Sequence, residues 1–267
     1  MAGKKEIPSI DKVFLELKKE KRKALIPYLS AGFPDESKFV KIAVEIAEKG
    51  ADMLEIGVPF SDPIADGPVS KKSSFEALKK GVTLDKVFKM AEAVLAKAAI
   101  PLIIMSYYNP LYAYGLEKFA RKANRSKIKG VIIPDLPLEE SSEFESFLKM
   151  EGIDIIKLCA PNTDESRAKQ IAGKTRGFLY LVSVTGVTGS REKLPVTLRD
   201  SILKLKSMTD KPVCVGFGIS KPEQAKEVAK YADGVIVGSA IIELILKNSR
   251  KPEAKAGEFI RELRAVL

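Results

Sequence analysis

The chain has no histidine, no tryptophan and only two cysteines in 267 residues. Without histidine there is no Ser–His or Cys–His nucleophile, no imidazole base and no His-ligated zinc. Acid–base chemistry falls to carboxylates, lysines, tyrosines or cysteines. Cys159 and Cys214 each lie inside an apolar run, "DIIKLCA" and "PVCVGFG". They read as buried thiols in a reducing compartment rather than as a disulfide. No apolar segment is long enough to span a bilayer. The opening "MAGKKEIPSIDKVF" has no apolar signal-peptide core. A cytoplasmic protein with no membrane partner is expected. The net charge of +10 comes from lysines scattered over helical patterns and from a run at Lys18, Lys19, Lys21, Arg22 and Lys23. No aromatic interleaving or binding motif accompanies them. They read as solvated surface, so nucleic acid is not an expected partner, although a basic surface still attracts an anionic substrate.

What is present is regular. Apolar residues make up 45% and charged residues 30%, a globular balance. Eight apolar runs alternate with amphipathic stretches: residues 24–32, 51–58, 101–108, 130–136, 154–160, 177–184, 212–218 and 234–240. Most are apolar nearly throughout, as strands covered on both faces should be. Between them, 37–50, 138–152 and 220–234 show apolar residues at helical spacing and end on glycine. The last of these opens on Ser220 with Glu223, a capping-box pattern, and has Pro222 in its first turn. A further helix, 9–20, precedes the first strand. The pattern predicts a (β/α)8 barrel with an additional N-terminal helix, in one domain over 1–267. A doubly wound sheet is the alternative, but it wants a Gly-rich nucleotide turn after the first strand, and "SAGFPDES" does not supply one.

One strand carries a carboxylate in its interior. In "LEIGVPFSDPIADGP" (54–68), alternation sends Leu54 and Ile56 to one side and Met53, Glu55 and Gly57 to the other. If Leu54 and Ile56 face the helices, Glu55 points into the barrel near the strand's C-terminal end, where barrel enzymes place catalysis. A buried carboxylate costs several kcal/mol or titrates upward. That suits a group that both gives and takes a proton. The structural alternative is a salt bridge to an inward lysine such as Lys157. Asp62 and Asp66 follow in a loop stiffened by Pro59, Pro63 and Pro68. "SDP" and "ADG" are also good turn formers, so both roles stay open for the two aspartates. "GFGIS" (216–220), "GSA" (238–240) and "SVTGVTG" (183–189) end successive strands, where backbone N–H groups cradle phosphate in many barrels. The loop 185–195 is a candidate lid. Tyr28, Tyr107, Tyr108, Tyr180 and Phe217, at strand ends, are candidates for a pocket that takes a flat ring, or for ordinary core packing.

At these residues the chain resembles the α subunits of tryptophan synthase. The motifs "LEIGVPFSDPIADGP", "SYYNPLYAYG", "IIPDLPLEES", "YLVSVTGVTG" and "VGFGIS…ADGVIVGSAI" stand in that family's order and spacing, from about Ser9 to the last helix. The resemblance implies a lyase of L-tryptophan biosynthesis that cleaves indole-3-glycerol phosphate to indole and glyceraldehyde 3-phosphate, a retro-aldol reaction without metal or cofactor. Glu55 matches the catalytic glutamate that protonates indole C3. Asp66 matches the aspartate that hydrogen-bonds the indole N–H. Tyr28, Tyr107, Tyr180, Thr188 and Phe217 fall at substrate positions, Tyr28 where some relatives have phenylalanine. Gly189, Gly218, Gly238 and Ser239 fall at the phosphate. Thr188 matches the lid threonine that reaches the loop aspartate on closure. Asp135 matches a strand-four aspartate to which the resemblance assigns no role. The implied partner is the β subunit, a pyridoxal-phosphate enzyme, in an αββα complex, with Pro59, Asp62 and Asn109 in the contact segments. Pyridoxal phosphate would belong to that subunit and not to this chain. A free-standing indole-producing lyase and a mainly activating partner subunit are the alternatives.

Overall fold

Parallel strands pair all the way round this chain. The computed structural model describes residues 6–182, 195–216 and 218–267. Among them the strands are β1 (Ala24–Ser30), β2 (Leu54–Gly57), β3 (Leu102–Met105), β4 (Gly130–Ile132), β5 (Asp154–Ile156), β6 (Leu158–Cys159), β7 (Leu179–Val182), β8 (Val213–Gly216) and β9 (Gly234–Val237). Their order is β5-β4-β3-β2-β1-β9-β8-β7-β6, with every pairing parallel. The two ends of that order, β5 and β6, are consecutive pieces of one apolar run, so the sheet curls into a nearly closed barrel of eight staves. The expected fifth strand is split at Lys157. Its N–H leaves the ladder to donate to Thr175 Oγ1 at 3.0 Å, while its carbonyl accepts from Tyr180 N at 3.1 Å.

Twelve helices surround or cap the barrel among the described residues: α1 (Ile10–Lys19), α2 (Glu36–Glu48), α3 (Pro68–Lys79), α4 (Leu84–Leu95), α5 (Tyr108–Tyr114), α6 (Leu116–Arg125), α7 (Ser142–Met150), α8 (Glu165–Lys174), α9 (Val196–Lys206), α10 (Pro222–Ala229), α11 (Ser239–Lys247) and α12 (Pro252–Arg264). The predicted leading helix is α1, and Ser9 caps it by accepting from Lys12 N at 3.2 Å. The helix predicted over 37–50 is α2, and Gly50 beyond its end takes φ 109, which only glycine adopts freely. The capping box of α10 lies one residue further on than the sequence suggested. Gln224, not Glu223, reaches back, and its side chain accepts from Ser220 N (2.9 Å) and Lys221 N (3.2 Å). The helix begins at Pro222, so its third residue is Gln224.

Two apolar layers result. Leu54 and Ile56 of β2 face the helices, in an outer core that includes Phe39, Phe88, Phe119 and Phe144. The inner core fills the barrel with Ala24, Ile26, Met53, Ile103, Ile132, Ile156, Phe178 and Ile236. The buried stripe of α1 (Ile10, Val13, Phe14, Leu17) belongs to that inner core and closes the N-terminal end of the barrel. Phe14 meets Phe178 there at 5.8 Å between ring centroids. With its floor sealed by α1, the barrel opens at the C-terminal ends of its strands.

Candidate active site

A cavity of about 630 Å³ lies at that open end. Its lining includes Tyr28 from β1, Glu55 from β2, Asp66 from the following loop, Tyr180 from β7, Gly218 after β8, and Gly238 and Ser239 after β9. Seven of the residues singled out from the sequence are therefore brought together from five strand ends. Thr188, Gly189 and Phe217 lie outside the described residues, as does nearly all of the loop expected to act as a lid.

Glu55 is 1% exposed, and among the described residues neither carboxyl oxygen has a hydrogen-bond partner. The salt bridge to Lys157 is not formed. Lys157 points the other way, to Glu145 of α7, with 2.6 Å between Nζ and Oε1. That contact is an ion pair rather than a well-aligned hydrogen bond, since the Nζ has no hydrogen-bond acceptor at good angles. The Glu55 carboxyl is raised from 4.5 to about 8, first by burial and then by the charge of Asp66. Asp66 is itself raised to about 6 by burial, with Lys71 pulling it back. Near neutral pH the cavity thus holds one protonated and one ionised carboxyl, the pattern by which environments divide acid and base roles.

The two tyrosines need glycine neighbours. A Cβ on Gly57 would lie 2.1 Å from the Tyr28 hydroxyl, and one on Gly216 would lie 2.5 Å from the Tyr180 hydroxyl. Both tyrosines are buried, which raises the pKa of their phenols and leaves them neutral. Gly238 lies beside Tyr28, and a Cβ on it would lie 3.1 Å from the ring. Gly238 precedes α11, and no side chain caps that helix. Ile241 N–H and Ile242 N–H both donate to Gly238 O, and Gly238 and Ser239 line the cavity at the positive end of the helix dipole.

Tyr107 lies one layer back. It is 4% exposed, is not part of the cavity's lining, and its hydroxyl accepts from Ala65 N at 2.9 Å. Asp62 and Asn109 are exposed, whereas Pro59 is buried. Sequence reasoning did not place Ser70, Leu158 or Thr163 in the site, and it took Cys159 only for a buried thiol, yet all four also line the cavity. For Leu158, Cys159 and Thr163 a signal was available, because they end or follow the fifth apolar run. Ser70 lies in the first turn of α3, whose start is marked only by Pro68 after Gly67. Among the described residues no helix is long and apolar enough to cross a membrane.

The family model described as tryptophan synthase alpha chain matches residues 14–266. The tryptophan synthase alpha chain of Prochlorococcus marinus subsp. pastoris is 45% identical over 97% of this chain and 94% of its own length. That of Geobacter sulfurreducens is 46% identical over 86% and 88%. The crystal structure of the alpha chain from Legionella pneumophila subsp. pneumophila superposes with a TM-score of 0.89 at 34% identity, covering 96% of each chain. A barrel with this cavity, matched along nearly its whole length in sequence and in structure, is a member of the tryptophan synthase alpha chain family.

Proposed function

We propose that this chain is the lyase subunit that cleaves indole-3-glycerol phosphate to indole and glyceraldehyde 3-phosphate. The observation that carries the reading is Glu55: a carboxyl inside the barrel, without a hydrogen-bond partner among the described residues, protonated up to about pH 8 and lining the cavity. It gives its proton to indole C3, which puts positive charge on the ring nitrogen. The ionised Asp66 accepts a hydrogen bond from the ring N–H, so it stabilises that charge more in the transition state than in the ground state. Glu55, now a carboxylate, takes the proton of the side-chain hydroxyl. The bond from C3 to that carbinol carbon breaks, its electron pair returns to the ring, and the carbinol carbon leaves as the aldehyde. One proton is given and one is taken, so Glu55 ends as it began and no cofactor enters the balance. Backbone N–H groups at Gly218, Gly238 and Ser239 take the phosphate, assisted by the dipole of α11. Tyr28 and Tyr180 flank the ring.

A β subunit is the proposed partner. The loop after β2 carries Ile64, 79% exposed, and α5 carries Tyr112, 65% exposed. Two large apolar side chains on neighbouring segments at the open end of the barrel suit a protein contact. Tyr107, the residue before α5, ties the two segments together through Ala65. Asp62 and Asn109 fall on the same segments.

Incubation with indole-3-glycerol phosphate, with and without a β subunit, while indole is followed, tests the reading. Glu55→Gln should abolish cleavage and still bind the substrate phosphate. Wild-type turnover in that variant would sink the mechanism.

A further inference from the structure

Asp66 lines the cavity, yet the loop that carries it is exposed at Ser61, Asp62, Ile64 and Ala65. Within the loop, its own N–H makes only a turn bond, to Pro63 O at 3.2 Å. Something outside the loop must set where its carboxylate stands. Tyr107 touches the loop twice. Its ring lies against Phe60 at 5.4 Å between centroids, and its hydroxyl accepts the N–H of Ala65, the residue before Asp66. Tyr107 is in turn held from behind. Its carbonyl accepts from Ser106 Oγ at 3.0 Å, and the next N–H, that of Tyr108, donates to Asp135 Oδ1 at 2.9 Å. Asp135 comes from the segment that follows β4, so a carboxylate there, the start of α5 and the loop after β2 form one continuous line of contacts.

We propose that Tyr107 and Asp135 are positioning residues: Asp135 holds the start of α5, and the Tyr107 hydroxyl holds the Ile64–Ala65 peptide, next to Asp66, so that the Asp66 carboxylate meets the ring N–H of the substrate. This rests on the reading of Asp66 given above. It also gives Tyr107 a role different from direct substrate contact. The phenol is pushed up to about 12, chiefly by burial and then by the charge of Asp66, so it stays neutral throughout the working range. A misplaced catalytic group loses rate steeply with distance.

The test is a kinetic cycle on the full-length chain with indole-3-glycerol phosphate. Tyr107→Phe keeps the ring against Phe60 and removes only the acceptor. It should lower kcat by about tenfold or more and leave KM within about twofold. In an Asp66→Asn background the same change should cost less than about twofold, because the carboxylate it positions is gone. Asp135→Ala should show the same loss, and Asp135→Asn should recover most of it, because an amide oxygen still accepts from Tyr108 N–H. Melting curves confirm that each variant is folded. If the Tyr107 and Asp66 factors multiply in full, Tyr107 acts independently of Asp66 and the proposal is wrong. Wild-type turnover in Tyr107→Phe also overturns it, and so does an Asp135→Asn variant as slow as Asp135→Ala. If Asp66→Asn alone keeps wild-type turnover, the reading of Asp66 fails first and takes the proposal with it. A slow Asp66→Asn with multiplying factors fails the proposal alone.

Discussion

Replacing Glu55 with glutamine should remove a pH-dependent destabilisation of the barrel. In the unfolded chain this carboxyl ionises near its ordinary value of 4.5, whereas in the folded barrel it keeps its proton to about 8. Between those limits the folded state binds more protons than the unfolded one, so stability falls as pH rises. Each pH unit costs up to about 1.4 kcal/mol, which makes about 3 kcal/mol between pH 5 and pH 7 and about 5 kcal/mol over the whole window. The loss is complete once pH passes the folded value and absent below the unfolded one. Glutamine has nearly the same shape and does not titrate. The stability difference between Glu55→Gln and wild type should therefore grow by about 3 kcal/mol from pH 5 to pH 7, or roughly 6–12 °C in melting temperature for a domain of this size. All other titrating groups are common to the two proteins and largely cancel in the difference. The assay is calorimetry or denaturant unfolding of both proteins in parallel at pH 5, 6, 7 and 8. Two curves a constant distance apart would show that Glu55 is not a desolvated carboxyl, and the acid–base assignment would fall with it.

Four more outcomes follow from the same environments. The pH profile of kcat/KM should be bell-shaped, with an acid limb near about 6 as Asp66 gains its proton and an alkaline limb near about 8 as Glu55 loses its own. Because the charge of Asp66 helps to raise Glu55, Asp66→Asn should move the alkaline limb to lower pH in the residual activity; an unmoved limb would separate the two groups. The Lys157–Glu145 pair should be dispensable as a pair but not in halves: the double variant Lys157→Met, Glu145→Leu should be near neutral in urea unfolding, while Glu145→Ala alone should cost about 3–5 kcal/mol by leaving the lysine uncompensated. Phe14→Ala should destabilise the barrel by about 3 kcal/mol or more and, by loosening the sealed floor, lower the alkaline limb of the rate profile; equal limbs would show that burial of Glu55 does not depend on α1.

Much of the site could be read from alternation alone. The parity that puts Leu54 and Ile56 against helices leaves Glu55 on the inside, and the two apolar layers divide in that way. Gly238 and Ser239 were legible because a glycine ending an apolar run before a helix has few other uses. Partners distant in sequence were not legible. The fifth strand breaks because a threonine 18 residues later captures the Lys157 N–H. Lys157 itself, placed by alternation on the opposite face to Ile156, finds its carboxylate on α7, and neither end of that pair carries a local signal. The role of Tyr107 was hidden for the same reason: a tyrosine at a strand end looks alike whether it faces a substrate or the back of a loop.

The chemistry of Glu55 is made by residues that no site motif contains. Burial is the larger cause of its raised pKa, and burial here means that water is kept away from below and from both sides. From below, Ile10, Phe14 and Leu17 of α1 close the barrel, and Phe14, Phe178 and Tyr180 form a continuous aromatic column, with 5.8 and 6.4 Å between successive centroids, from that floor to the cavity wall. From the sides, the Tyr28 and Tyr180 hydroxyls lie over Gly57 and Gly216, an approach that any Cβ would block. A glutamate placed on this strand without those three supports would be solvated and would ionise in its ordinary range. It would then have no proton to give at neutral pH. The additional N-terminal helix and the two glycines are thus part of what makes a carboxyl group an acid here, although none of them touches a reacting atom.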